Sequence, residues 1–391
     1  MRKNMRNGRC VEAMKSFGKF VRGKAFSILF FVFSFLSVFY VAERMGRLTE
    51  SLFSYHCDEI LCVCLLILMG YMFLYLKSGK EKKRTRNLYE CCSVILCFLL
   101  YLVLMLWIYD ILSGLLGIHR NQFYSNPVLG SLFLTIYGFA HAKKLYVQEY
   151  TIPLRNLNTE KKIALLSDIH VGTFVDIQQL NKIVAKVNEL HPDYVLIAGD
   201  MFDVDAFAYC EKDAIAAELQ KLAPQGNIYA ALGNHDPKSN RKEIREFFEN
   251  AKIQLLVDEE KETEDFTFVG RDDSMRNPKR KSLLELLKTV EGEKPKIVID
   301  HNPTGIKEAV SQNVDLILCG HTHKGQFFPA NIFTKLAYGT EGFYGYGREG
   351  NTQSVVSSGA GYFQMPMRIG SNSEVVVLNL KREGGEMDEK M

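Results

Sequence analysis

Little net charge, no cysteine framework and no internal repeat mark this sequence, and each lack removes a class of explanation. Its 48 Lys and Arg stand against 45 Asp and Glu, a formal net charge of +3 over 391 residues. Bulk charge therefore does not indicate a nucleic-acid binder, and no nucleic-acid polymer is expected as a partner. Nine cysteines, an odd number, do not suggest a disulfide framework. Cys62, Cys64, Cys91, Cys92 and Cys97 lie in apolar segments, where thiols pack as small soft side chains. Cys62-Val-Cys64 and Cys91-Cys92 have no second cluster at zinc-ligand spacing, so all nine read as reduced and structural. No repeat and no low-complexity block interrupts the chain.

What is present first is apolar length. Residues 26–42, 60–76, 91–109 and, more weakly, 127–140 are nearly unbroken apolar runs. A bilayer span needs about 20 such residues, which the first three reach with their flanks. No polar stripe runs along them, as it would on the amphipathic helices of a soluble bundle. The residues before the first run are basic (Arg2, Lys3, Arg6, Arg9, Lys15, Lys19, Arg22, Lys24), as are loop 77–86 and Lys143-Lys144. The intervening loops are acidic or nearly uncharged. The positive-inside rule then places both ends in the cytoplasm with about four spans, a multi-pass membrane protein with residues 1–144 as its anchor.

From about residue 145 short apolar strands alternate with helix-period segments, which predicts an α/β domain over 145–380. Strand 161–166 leads to a helix that Asp176 can cap and that carries Ile177, Leu180, Ile183, Val184 and Val187 on one face; strand 194–198 follows. Helices are expected at 213–222, 241–250 and 282–290. Further strands are expected at 228–232, 267–269, 296–300, 315–319, 354–358 and 374–378. The charged tail 381–391 reads as disordered.

Five of the expected strands end on chemically active residues. Asp168 and His170 follow the first, and Gly199-Asp200 the second. Asn234-His235-Asp236 follow the third, His301 the fourth, and His321 with His323 the fifth. In open α/β sheets ligands bind beyond the carboxyl ends of the strands. One carboxylate there is a turn residue more often than not; five of the nine histidines at one edge is a pattern. Carboxylate, amide and imidazole donors without thiolates suit Mn, Fe or Zn, and there are more of them than one ion needs, which implies two divalent ions.

The ordered series D-x-H, G-D-x-x-D, G-N-H-D, a later H and G-H-x-H resembles the calcineurin-like metallophosphoesterases over residues 163–380. His301-Asn-Pro303, the stretch 320–326, 342–350 and Pro366-Met-Arg368 are most similar to a bacterial subfamily of membrane-associated phosphodiesterases. The resemblance implies a four-layer α/β/β/α sandwich. It implies that Asp168, His170 and His323 hold one metal, that Asn234, His301 and His321 hold a second, and that Asp200 bridges them. A hydroxide shared by the metals would attack phosphorus in line, with His235 steadying or protonating the leaving oxygen. Asp236 would orient His235 and Asp203 would support the metal shell; capping or turn roles are the alternatives for both. Where the subfamily has two glycines after G-H-x-H, this chain has Lys324 before Gly325. Lys324 and Arg368 are the phosphate-contact candidates, against a surface and an ion-pair role respectively.

These readings predict a membrane-anchored, Mn-, Fe- or Zn-dependent phosphodiesterase on a phospholipid or nucleotide-linked lipid, its catalytic domain cytoplasmic. The rivals are a tethered phosphomonoesterase acting on phosphoprotein or soluble nucleotide, and a non-catalytic membrane sensor.

Overall fold

A computed structural model describes residues 24–78, 83–117, 124–203, 211–238, 242–290 and 292–383. The chain falls into two compact units, Met1–Ala140 and His141–Met391. The basic N-terminal residues up to Arg22, Lys80 and Lys82 of the second basic loop, Arg120, and tail residues 384–391 lie outside the described residues.

In the first unit the apolar runs form helices α1 (Lys24–Phe53), α2 (Asp58–Ser78), α3 (Lys83–Leu116) and α4 (Ser125–Ala142), the last ending at the start of the second unit. Among the described residues one stretch, Leu88–Leu116, is long and apolar enough to cross a membrane, where sequence suggested about four. The fourth run falls short on its own composition: α4 has 18 residues and opens on Ser125-Asn126-Pro127. Val41, Leu102, Val103, Leu106 and Tyr124 form the unit's buried cluster. Beside it Asp110 accepts from Tyr40 Oη at 2.8 Å and pairs with Arg44 Nη2 at 2.8 Å. A carboxylate among apolar helices requires such partners.

The second unit is two six-stranded sheets. The first runs β1 (Leu145–Leu154), β12 (Ser373–Arg382), β2 (Lys161–Leu166), β3 (Tyr194–Ala198), β4 (Ile228–Ala231) and β5 (Gln254–Leu255). The second runs β10 (Gly345–Glu349), β11 (Thr352–Val356), β9 (Leu316–Cys319), β8 (Lys296–Ile299), β7 (Thr267–Gly270) and β6 (Glu259–Glu262). Strands β2, β3 and β4 are parallel neighbours, as are β7, β8 and β9. Their carboxyl ends therefore share an edge within each sheet.

Alternation along each strand divides the core. Ile163, Leu165, Leu196, Phe268, Ile299 and Leu318 meet in one buried cluster between the sheets. The residues between them face outward: Ala164, Val195 and Ile197 pack against Leu180, Ile183 and Val187 of α5 (Ile177–Glu189), and also meet α6 (Lys212–Leu219) and α7 (Lys242–Asn250). On the other flank Val298 and Ile317 pack on Leu283 and Leu286 of α8 (Leu283–Leu287) and Ile306 and Ala309 of α9 (Ile306–Ser311). This gives the expected order of helices, sheet, sheet and helices. Each Leu, Ile or Phe so buried contributes about 1.5–3 kcal/mol relative to exposure. Asp176 caps α5 as sequence suggested, accepting Gln179 N–H at 2.9 Å; on the other flank Ser282 with Glu285 forms a capping box that was not anticipated.

Strands β1, β5, β6 and β10 and helices α9 and α10 (Ala330–Tyr338) have no counterpart among the expected elements. β1 pairs in parallel with β12 along ten residues. β12 runs through Arg382, so the first two residues of the supposed disordered tail are strand. The nine-residue α10 lies in the Gly- and aromatic-rich segment, with no buried residue of its own.

Candidate metal centre

Strand ends deliver the side chains, and the turns after them are under strain. Asp168 (φ 49°), His170 (φ 53°), Asp200 (φ 51°), His321 (φ 72°) and His323 (φ 50°) all take left-handed backbone conformations. Side chains other than glycine adopt this region rarely, and such residues cluster where a site over-determines them. The glycines among them allow close approach. A Cβ at Gly233 would overlap Asp200 Oδ1, and one at Gly320 would overlap Asp168 Oδ2.

These ends bring together three groups whose ligand atoms lie within 4.8 Å of one another: Asp168, His170 and His323; Asp200, His301 and His321; and His170, Asp203 and His235. In the first, His170 Nε2 faces His323 Nε2 at 3.1 Å and Asp168 Oδ1 lies 3.2 Å from His323 Nε2. In the second, Asp200 Oδ2 lies 3.1 Å from His301 Nε2, and His301 Nε2 lies 3.3 Å from His321 Nδ1. The same Asp200 oxygen is 3.7 Å from His170 Nε2, which puts one carboxylate oxygen between the first two groups.

Burial sets the protonation. It pushes His170 and His321 down to about 3 and His323 well below the ordinary imidazole value. Their rings are thus neutral, with a lone pair available to a cation. Burial likewise raises the Asp168 carboxyl to about 6. Burial also opposes charge on Asp200 and His301, but each overrides it in the other: His301 holds the carboxyl below its usual range, and Asp200 raises the imidazole.

Whether these residues fit a metal can be judged from their other partners. His301 Nδ1 meets the Ala198 carbonyl at 2.8 Å and His321 Nε2 meets Tyr338 Oη at 2.8 Å. Both rings are thereby oriented from behind, as metal-ligating histidines are. The buried Asn234 Oδ1 has no hydrogen-bond partner among the described residues. A buried amide oxygen without a partner carries a desolvation penalty that a cation would relieve. Neutral imidazoles, ionisable carboxylates and this amide oxygen fit divalent first-row ions.

His235 sits beside this centre. Its backbone N–H donates to Asp200 Oδ1 at 2.7 Å, and burial lowers its pKa. Asp236 does not orient it as expected. Both Asp236 oxygens accept backbone N–H groups, from Phe202 at 3.0 Å and Gly233 at 2.8 Å, so the carboxylate closes the turn that presents Asn234 and His235. Asp203 joins His170 and His235 in the third group.

Both phosphate-contact candidates have partners within the protein. Arg368 is fully buried and donates to the carbonyls of His323 (3.1 Å), Ser358 (2.7 Å) and Gly361 (2.6 Å). Burial lowers its pKa to about 10, which still leaves it charged at neutral pH. It therefore supports the loop of His323 from inside the protein. Lys324 places Nζ 4.1 Å from the centre of the Tyr344 ring, a cation–π contact.

Sequence reasoning missed the ring neighbours. Phe363 packs on His235 (4.8 Å between centroids), His170 (5.7 Å) and His323 (6.2 Å), and Tyr338 bonds His321. No local motif marks either residue, because each reaches the site only through tertiary packing.

Residues 161–325 match the family model described as calcineurin-like phosphoesterase. The chain is similar to an uncharacterized metallophosphoesterase of Helicobacter pylori, at 33% identity over 275 residues, covering 68% of this chain and 72% of the relative. A Campylobacter jejuni metallophosphoesterase is 26% identical over 381 residues, covering 90% of this chain and 99% of its own. A Danio rerio protein named transmembrane protein with metallophosphoesterase domain is 34% identical over 274 residues, 64% of this chain and 60% of that one. Among solved structures, the NAD nucleotidase of Haemophilus influenzae is similar with a TM-score of 0.35 at 15% identity, over 56% of this chain and 44% of that chain.

Proposed function

The chain belongs to the calcineurin-like metallophosphoesterases and is a hydrolase, and from that premise we propose that it cleaves phosphodiesters of lipid type at a membrane surface with two divalent ions. The observation that carries the two-ion reading is the Asp200 oxygen lying 3.7 Å from His170 Nε2 and 3.1 Å from His301 Nε2. In this reading Asp168, His170 and His323 hold one ion, Asn234, His301 and His321 hold the other, and Asp200 serves both. When bound, the ions supply Lewis acidity to the phosphoryl oxygens and lower the pKa of a water molecule. His235, neutral through burial, donates a ring N–H to the leaving oxygen. Phe363 holds that ring in place and keeps water from one side of it.

The lipid reading is supported from both units. α2, α3 and α4 expose large apolar side chains, among them Ile67, Leu74, Ile111 and Phe133. On the catalytic unit Ile332 and Phe333 are exposed on α10, the helix whose Tyr338 bonds His321. Multi-pass anchoring with the catalytic unit on the cytoplasmic side goes with this proposal; a reporter fused after Lys144 reads the orientation directly, and an external signal contradicts it.

Detergent-solubilised full chain with Mn²⁺ is expected to turn over bis(p-nitrophenyl) phosphate faster than p-nitrophenyl phosphate, and to cleave a phosphodiester in lipid micelles. A clear preference for the monoester would transfer the assignment to a tethered phosphomonoesterase.

A further inference from the structure

The loop between β7 and α8 is held in shape by hydrogen bonds of its own side chains and backbone. Asp273 Oδ1 accepts the backbone N–H groups of Met275 (2.9 Å) and Arg276 (3.0 Å), and the Asp273 carbonyl accepts Asn277 N–H at 2.8 Å. Asn277 Nδ2 donates to Asp272 Oδ2 at 3.0 Å. Arg280 donates to both oxygens of Asp300, at 3.0 and 2.7 Å, and to the Asp272 carbonyl at 2.6 Å. Asp300 directly precedes His301, so the frame is keyed to the strand end that supplies a candidate ligand.

From this frame Arg276 reaches across to the strand end after β4, where its Nε donates to the backbone carbonyl of Asn234. That carbonyl belongs to another candidate ligand and adjoins His235. Among the described residues the two terminal nitrogens of Arg276 have no hydrogen-bond or ion-pair partner, and the side chain is exposed. The neighbouring arginines are already engaged: Arg271 by Glu308 and the Lys281 carbonyl, Arg280 by Asp300, and Arg368 by carbonyls inside the protein. Arg276 is thus anchored by one nitrogen at the rim of the metal centre, with the rest of its planar fork available. Two non-bridging phosphate oxygens match that fork bidentately.

We propose that Arg276 is the phosphate-recognition residue of this site, pairing its terminal nitrogens with the non-bridging oxygens of the substrate phosphoryl group. The assignment rests on the phosphoester-hydrolase reading of the centre. It gives the site a cation of its own chain, on the Asn234 and His235 side, in the place where sequence suggested Lys324 or Arg368. A guanidinium bound to a backbone carbonyl could instead only brace the Asn234 turn, and the two roles separate by experiment.

Metal-loaded full chain in detergent is compared with Arg276→Ala and Arg276→Lys, by calorimetric titration with inorganic phosphate, by metal content, and by kcat and KM for bis(p-nitrophenyl) phosphate. Arg276→Ala is expected to weaken phosphate binding and lower kcat/KM by roughly 10–100-fold, as for loss of hydrogen bonds to a charged group. Metal content is expected to stay at the wild-type level, Arg276→Lys to recover only part of the affinity, and added guanidinium ion to restore part of the Arg276→Ala rate. Unchanged phosphate affinity in Arg276→Ala overturns the proposal. So does a parallel loss of metal, which would assign Arg276 to bracing Asn234. If the wild type binds phosphate but turns nothing over, the hydrolase reading fails, while the phosphate comparison still decides the role of Arg276.

Discussion

Asp200→Ala is expected to lower kcat on a phosphodiester by roughly 10³-fold or more, the rate equivalent of about 4 kcal/mol of lost transition-state stabilisation. The size follows from where the carboxylate sits. Oδ2 lies within 4 Å of an imidazole nitrogen of each candidate ligand set, and Oδ1 accepts the His235 backbone N–H at 2.7 Å. Losing the side chain therefore removes a donor common to both sets and loosens the turn of His235. Metal content should fall for both ions together. His323→Ala, by contrast, should weaken mainly the ion held with Asp168 and His170, because His323 belongs only to that group. Metal analysis of the purified variants checks this. Equal loss in the two variants would remove the shared role of Asp200.

Arg368→Met is expected to act on stability rather than on substrate affinity. Its guanidinium serves four backbone carbonyls and Ser371 Oγ inside the protein. Methionine keeps much of the volume but leaves those acceptors unsatisfied, at about 1–3 kcal/mol for each group that water cannot reach. A total loss of about 3–5 kcal/mol is the usual result of removing a buried charged partner. In a unit of this size that lowers the thermal midpoint by roughly 10 °C. Thermal unfolding of the full chain in detergent, with and without inorganic phosphate, provides the check. A midpoint near wild type together with lost phosphate affinity would return Arg368 to the substrate.

The strand-end chemistry was legible in the sequence for a definite reason. Each strand is a short, mostly apolar run that points its next residue at the shared edge, so Asp168, Asp200, His301 and His321 can be placed by counting from the strands. The family resemblance then ordered them into sets. What stayed hidden was fixed by contacts distant in sequence. Arg368 and Arg276 are both arginines in polar loops. Only the fold reveals that one is enclosed by carbonyls and the other stands at the rim on the Asn234 carbonyl. The resemblance implied that Asp236 orients His235, with a turn role as the alternative; backbone N–H groups of Phe202 and Gly233 claim both its oxygens, which is the turn role. α10 escaped although Ile332, Phe333, Leu336 and Ala337 recur at helical spacing, because nine residues inside a Gly- and aromatic-rich segment give that period little length. The apolar runs were plain, but composition alone does not say how many cross a bilayer; Leu88–Leu116 is the stretch that meets the length and hydropathy of a span among the described residues.

The central claim is that one metal-dependent centre, shared through Asp200, hydrolyses phosphoesters. Its most direct test is to strip the full-length protein of metal, return Mn²⁺ stepwise, and follow bound metal and turnover of bis(p-nitrophenyl) phosphate together. The account predicts no turnover in the stripped protein, a rise that is complete when two ions per chain are bound, and no such rise in Asp200→Ala. Turnover that survives complete metal removal, or that is equal in wild type and Asp200→Ala, would contradict it.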